Sequence, residues 1–189
     1  MKKEIIDASF VNDRSLVEGK IYGNTYTALK CLIDGSYCTQ QTLPSSLTEI
    51  NYKDRLDYWK EFCTIRMATS RRSGHTTAIC KIAQSYFNSA IFLSPNLDVS
   101  RFLCEAFKKR YDVEGIKKIT KNTRDTILTK DGGYFFRSYR SIDGIRGIDC
   151  EAIIIDPACL LKPKEEDKIY RDLGPCMHTY LEKFFIFVG

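Results

Sequence analysis

Read for where its apolar side chains recur, the chain falls into short elements of two different periods. Phe62, Ile65, Met67 and Ala68 form an apolar run that leads into a polar loop from Thr69 to Thr77. Ala78-Ile79-Cys80-Lys81-Ile82-Ala83 then carries apolar residues at helical spacing. Ser89 to Leu93, closed by Ser94-Pro95-Asn96, has the signature of a buried strand. From Asp98 to Tyr111 the helical period returns, with Val99, Phe102, Leu103, Ala106 and Phe107 on one side. Arg101, Lys108, Lys109 and Arg110 take the other side. Thr126 to Thr129 and Tyr134 to Phe136 flank Lys130-Asp131-Gly132-Gly133, and Asp-Gly between two strand-forming runs predicts a hairpin. Cys150 to Asp156 is an apolar run with an acid at its carboxyl end, and Phe184 to Gly189 reads as another buried strand. Strands alternating with helices predict an α/β fold, a mostly parallel sheet with crossover helices and one inserted β-hairpin.

The flanking stretches are less patterned. Tyr26 to Ile33 predicts a short helix stopped at Asp34-Gly35, and Thr42 to Asn51, with Pro44, predicts a loop. Tyr52 to Glu61 predicts a helix with Leu56 and Trp59 facing inward. Residues 1–61 are therefore expected to form a helical lead-in or cap, not an independent domain, ahead of a core over 62–189. Tyr139 to Ile148 reads as a loop rich in Arg and Gly, and 162–175 as a loop with a short helix.

Composition narrows the classes. A chain of 189 residues, 43% hydrophobic and 12% aromatic, suits one globular domain with a sizeable core. No apolar run approaches the ~20 residues of a membrane span, and the N-terminus lacks the apolar core of a secretory signal. The eight cysteines include no C-x-x-C pair, so neither a zinc site nor a disulfide framework is predicted; reduced thiols in a cytoplasmic compartment are. The net charge of +5 is concentrated between Arg101 and Arg146, where twelve basic residues face six acidic ones. That segment suits a polyanion, and Lys108, Lys109, Arg110, Lys117, Lys118, Arg137, Arg140 and Arg146 are the candidate nucleic-acid contacts.

The loop before Ala78 carries candidate chemistry. Against the phosphate-binding pattern G-x-x-x-x-G-K-[ST], Thr69 stands at the first Gly, Gly74 at the second, His75 at the Lys, and Thr76 is in place. Gly74 lets backbone approach a phosphate, the following helix N-terminus favours an anion, and Thr76 offers a hydroxyl to Mg²⁺. His75 is shorter than Lys and mostly neutral near pH 7, so a fixed ammonium is missing. Asp156 is placed to coordinate a metal, because sites in parallel α/β sheets open at the carboxyl ends of strands. For an isolated Asp at a strand end a turn or helix-cap role is the better account; its order after the phosphate-type loop, with strands between, moves the balance toward a metal ligand.

The order of these motifs resembles the ATPase domain of phage terminase large subunits. Ser70-Arg71-Arg72-Ser73-Gly74-His75-Thr76-Thr77 is similar to their deviant Walker A loop, and Asp131-Gly132-Gly133-Tyr134-Phe135 to their hairpin turn. Ile145-Arg146-Gly147 running into Cys150–Asp156 is similar to their segment entering the Walker B strand, and Phe184–Gly189 to the next core strand. The resemblance covers about residues 62–189 and implies a three-layer P-loop NTPase fold. It implies that Ser70, Arg72, Ser73, Gly74, His75, Thr76 and Thr77 surround nucleotide phosphates, and that Arg71 reaches the γ-phosphate. Thr76 and Asp156 would hold Mg²⁺ beside ATP, Arg71 and Asp156 would be the catalytic pair, and Arg66 or the region of Trp59 would border the base.

Two departures bear on activity: His75 replaces the Walker Lys, and Pro157 replaces the Glu that follows the Walker B Asp. Glu151 lies five residues before Asp156, roughly 16 Å along an extended strand, so it sits at the wrong end. Weak or absent hydrolysis is expected. The resemblance implies a viral ATPase acting on DNA in packaging or translocation, in the host cytoplasm, alongside a larger motor or another viral protein. The sequence ends before the family's coupling motif and nuclease domain, so a complete packaging motor is not expected. The alternatives are a catalytically degenerate relative, binding DNA or regulating a motor, and a helicase-like fragment.

Overall fold

The computed structural model describes residues 21–43, 52–69, 73–114, 119–145, 147–177 and 183–189. Helices α1 (Ile21–Thr42) and α2 (Tyr52–Phe62) precede strand β1 (Thr64–Met67). Then come α3 (His75–Tyr86), β2 (Ala90–Ser94), α4 (Leu97–Glu114), β3 (Ile119–Asn122), β4 (Thr126–Thr129) and β5 (Gly133–Ser138). The chain continues with β6 (Ala152–Ile155), α5 (Pro163–Leu173) and β7 (Phe184–Val188), with short 3-10 turns between.

Seven strands form one sheet in the order β1-β7-β6-β2-β5-β4-β3. The first five run parallel, and β5, β4 and β3 pair antiparallel. Every residue of β2, β6 and β7 is buried, as expected for parallel strands covered on both faces. Alternation along those strands feeds two cores. Phe92, Phe136, Ile154 and Ile186 point to one side, where Leu29, Ile33, Ile79, Ile82, Leu103 and Phe107 of α1, α3 and α4 pack. Leu93, Ile153, Ile155, Phe185 and Phe187 point to the other, under Trp59 of α2 and Ile169, Tyr170 and Leu173 of α5. The result is the three-layer α/β arrangement of a P-loop NTPase.

The hairpin falls where Asp131-Gly132 predicts it. The Thr129 N–H donates to the Gly132 carbonyl at 2.9 Å. A Cβ on Gly132 would lie 2.3 Å from the Asn88 carbonyl oxygen, so only glycine fits that approach.

Several expectations fail locally. The first helix does not stop at Asp34-Gly35 but runs to Thr42. Gly35 costs about 1 kcal/mol in a helix interior, and tertiary contacts outweigh that. Leu29 and Ile33 are fully packed, and the Gln40 amide both donates to the Lys183 carbonyl (2.8 Å) and accepts the Lys183 N–H (2.9 Å). The α1 residues on either side of the glycine are thus tied to the core. The expected loop over 42–51 lies outside the described residues from 44 onward. Phe102, placed on the apolar side of α4 by its spacing, is 68% exposed. The strand β3, with its irregular pairing between Ile119 and Lys121, has no clear sequence signal.

Candidate nucleotide site

The polar loop after β1 ends at Gly74, whose φ of 74° lies in the left-handed region that glycine adopts without strain. From there α3 begins at once: the Ala78 N–H donates to the Gly74 carbonyl at 2.9 Å. The first turn carries no acidic residue and no side-chain cap, and the positive end of the helix dipole faces the loop. Such a terminus suits a phosphate.

The loop is anchored from an unexpected quarter. Thr25 of α1 donates its hydroxyl to the carbonyl of buried Ser73 at 2.8 Å, across 48 residues of sequence. The Ser73 hydroxyl lies 3.5 Å from His75 Nδ1. Nothing in the sequence marks Thr25, since one threonine in a helical stretch has no pattern of its own.

Asp156, 5% exposed at the carboxyl end of β6, faces the start of α3. Thr76 donates its hydroxyl to Asp156 Oδ2 at 3.3 Å, and His75 Nε2 lies 3.1 Å from Oδ1. The sequence-predicted loop and acid therefore meet, although β7 lies between their strands. The bond to Asp156 raises the His75 imidazole above its ordinary value; burial opposes this and the carboxylate's charge adds to it. No other group reaches buried Oδ1 with hydrogen-bond geometry.

That unsatisfied oxygen bears on Mg²⁺. Mg²⁺ takes hard oxygen ligands, keeps several waters, and commonly uses one or two protein groups plus substrate phosphates. Asp156, whose Oδ1 meets His75 Nε2 at 3.1 Å but has no aligned hydrogen bond, and Thr76 with its hydroxyl fit that requirement. Among the described residues no cluster of three or more His, Cys, Asp or Glu stands ready for a metal. A metal here would draw its remaining ligands from phosphate and water.

The other predicted residues divide. Gly74, His75, Thr76 and Asp156 come together, and Ser73 and Thr77 adjoin them; Ser70, Arg71 and Arg72 lie outside the described residues. Among the described residues, the glutamates nearest Pro157 in the sequence are engaged elsewhere. Glu165 accepts the Lys162 N–H at 2.9 Å, capping α5, and Glu166 pairs with Arg66. Glu151 accepts the Asn88 N–H at 2.8 Å at the far end of the sheet. Trp59 is buried against Phe185, and a Cβ on Gly174 would strike its ring. Arg66 is held between Glu166 and the Phe187 ring, 4.4 Å from the centroid.

The basic segment is partly used internally. Lys108 bonds Glu105 (2.9 Å) and the Thr123 carbonyl (3.0 Å). Arg137 pairs with Asp125 at 3.0 Å and bonds the Asp125 and Phe136 carbonyls. Lys109 and Arg140 are exposed, whereas Lys117, Lys118, Arg146 and the Arg110 side chain lie outside the described residues.

A glycine-gated loop at a helix N-terminus, facing a carboxylate at the end of a parallel strand, defines the P-loop class of nucleotide-binding folds. Within that class the fold is terminase-like. The large terminase of a thermophilic bacteriophage superposes with a TM-score of 0.52 at 17% identity, over 70% of this chain and 36% of that one. An arginine-to-alanine variant of the Thermus phage P74-26 large terminase ATPase domain gives 0.50 at 10% identity, over 76% of this chain and 66% of that one. The chain thus spans about a third of the first protein and about two thirds of the second. Neither a protein-family model nor a curated protein matches the sequence. No helix among the described residues is long and apolar enough to cross a membrane.

Proposed function

We propose that this chain is a terminase-like P-loop protein of viral origin that binds ATP with Mg²⁺ and acts on DNA in packaging or translocation. The observation that carries the proposal is the meeting of Thr76 and Asp156 over the left-handed turn at Gly74. In this reading Ser70, Arg72, Ser73, Gly74, His75, Thr76 and Thr77 surround the phosphates, Arg71 reaches the γ-phosphate, and Thr76 and Asp156 hold the metal. When bound, Mg²⁺ would neutralise phosphate charge. Hydrolysis is expected to be slow. Pro157 cannot orient a water, and Glu165 and Glu166 are engaged elsewhere. Losing a preorganised base and a phosphate-facing cation costs several kcal/mol of transition-state stabilisation.

The test is calorimetric titration with ADP and ATPγS in Mg²⁺, comparing wild type with Asp156→Asn. Binding that weakens at least tenfold in the variant supports the site; no binding by wild type refutes it. Phosphate release above the Asp156→Asn background measures hydrolysis. A non-hydrolysing, DNA-binding or regulatory relative is the second reading, favoured by Pro157 and the engaged glutamates. It is distinguished by duplex binding that weakens steeply with salt while phosphate release stays at background.

A further inference from the structure

Ser94, the last residue of β2, is fully buried, yet its hydroxyl has no hydrogen-bond partner. An orphaned hydroxyl inside a protein calls for an explanation, often an unseen water or ion. The neighbour of Ser94 supplies one. The β2–β6 register pairs Leu93 with Ile155, and the Asp156 N–H continues the ladder to the Leu93 carbonyl at 3.0 Å. Ser94 therefore stands beside Asp156. Their faces also agree: Ala90, Phe92, Ala152 and Ile154 all enter the core beneath α3, so by period two Ser94 and Asp156 share that face.

Ser94 Oγ, with no partner, thus stands next to Asp156 at the carboxyl end of the sheet, where Oδ1 meets His75 Nε2 at 3.1 Å but has no aligned hydrogen bond. Strands spaced about 4.8 Å apart leave room between such side chains for one bridging water. We infer that Ser94 is a positioning residue for the hydration shell of the Mg²⁺ at Asp156. Its hydroxyl accepts a hydrogen bond from a metal-bound water and fixes where that water sits. Mg²⁺ retains several waters, and each is a strong donor. This role rests on the proposal that Asp156 holds Mg²⁺. No sequence pattern reveals it, because a serine closing a strand reads as the start of a turn.

The test is Ser94→Ala, which deletes one unpaired oxygen and adds no bulk. ADP affinity is measured by calorimetry with saturating Mg²⁺ and with EDTA, in wild type, Ser94→Ala and Asp156→Asn, together with each thermal midpoint. The expected result is an unchanged EDTA value in Ser94→Ala and a Mg²⁺-dependent gain reduced about three- to tenfold, the worth of one hydrogen bond. Its thermal midpoint stays at or above that of wild type. An equal Mg²⁺ gain in wild type and Ser94→Ala overturns the inference, and so does a clearly lowered midpoint, which would make the hydroxyl structural. If Asp156→Asn abolishes the gain and Ser94→Ala does not, only the role of Ser94 falls. If wild type shows no Mg²⁺ gain, the metal reading of Asp156 falls and takes this role with it.

Discussion

Replacing Thr25 by Val tests whether α1 holds the phosphate loop in place. Valine keeps the shape of threonine and removes the hydroxyl that donates to the Ser73 carbonyl at 2.8 Å. Thr25 is 9% exposed and Ser73 is 7% exposed, so water does not readily replace the lost donor. A buried carbonyl left unpaired costs about 1–3 kcal/mol. For a domain of this size, each kcal/mol moves the thermal midpoint by roughly 2–4 °C. The variant should therefore melt several degrees below wild type, with Thr25→Ser close to wild type because it keeps the hydroxyl. The loop consequence is separate: with its carbonyl released, Ser73 no longer fixes the approach to Gly74, and ADP affinity should fall along with stability. Differential scanning calorimetry and ADP titration at a temperature well below both midpoints measure the two effects. A Thr25→Val protein that melts and binds like wild type would refute the anchoring.

Three other outcomes follow from the site and the cores. His75→Lys should strengthen ADP and ATPγS binding about tenfold to a hundredfold, since a longer ammonium adds a charge-assisted bond to phosphate; unchanged affinity in titration would mean that the side chain at 75 does not face the nucleotide. Because His75 is held above its ordinary value, its stabilising contact with Asp156 is fully present below pH ~6.5 and fades as pH rises through the raised value. Chemical denaturation of wild type against His75→Gln should show a gap at pH ~5.5 that closes by pH ~9; a gap that widens with pH would contradict this sign. Alkylation followed by mass spectrometry should label exposed Cys31, Cys38 and Cys159 first. Burial pushes Cys63 up to about 12 and Cys104 up to about 11, so both should resist until the protein unfolds.

The parts of the fold legible in sequence are those where one local rule decides. Ile153-Ile154-Ile155 and Phe184 to Val188 have no polar residue to place outward, so they read correctly as buried strands. Asp131-Gly132 fixes a hairpin, and Gly74 fixes the start of α3. The illegible parts are decided by distant partners. The helix-breaking signal at Asp34-Gly35 loses to anchors at Ile33 and Gln40 on either side of it. Lys108 and Arg137 look like free cations in sequence, yet backbone carbonyls far along the chain or across the hairpin accept their hydrogen bonds. At the site, the motif order brings the loop and Asp156 to attention, but not the partners that orient them. Thr25 and Ser94 are single polar residues with no spacing to betray them.

The position of β7 has a consequence for assembly. It is the last described strand in the sequence, yet it is inserted between β1 and β6, second in the sheet order. A nascent chain emerges amino end first, so the loop and the acid are both synthesised well before their common spacer. Until Phe184 to Val188 slots in, the two flanking strands have a hydrophobic gap between them, and the pocket has no fixed width. Closure of the gap between β1 and β6 therefore waits on the last-synthesised of the described strands.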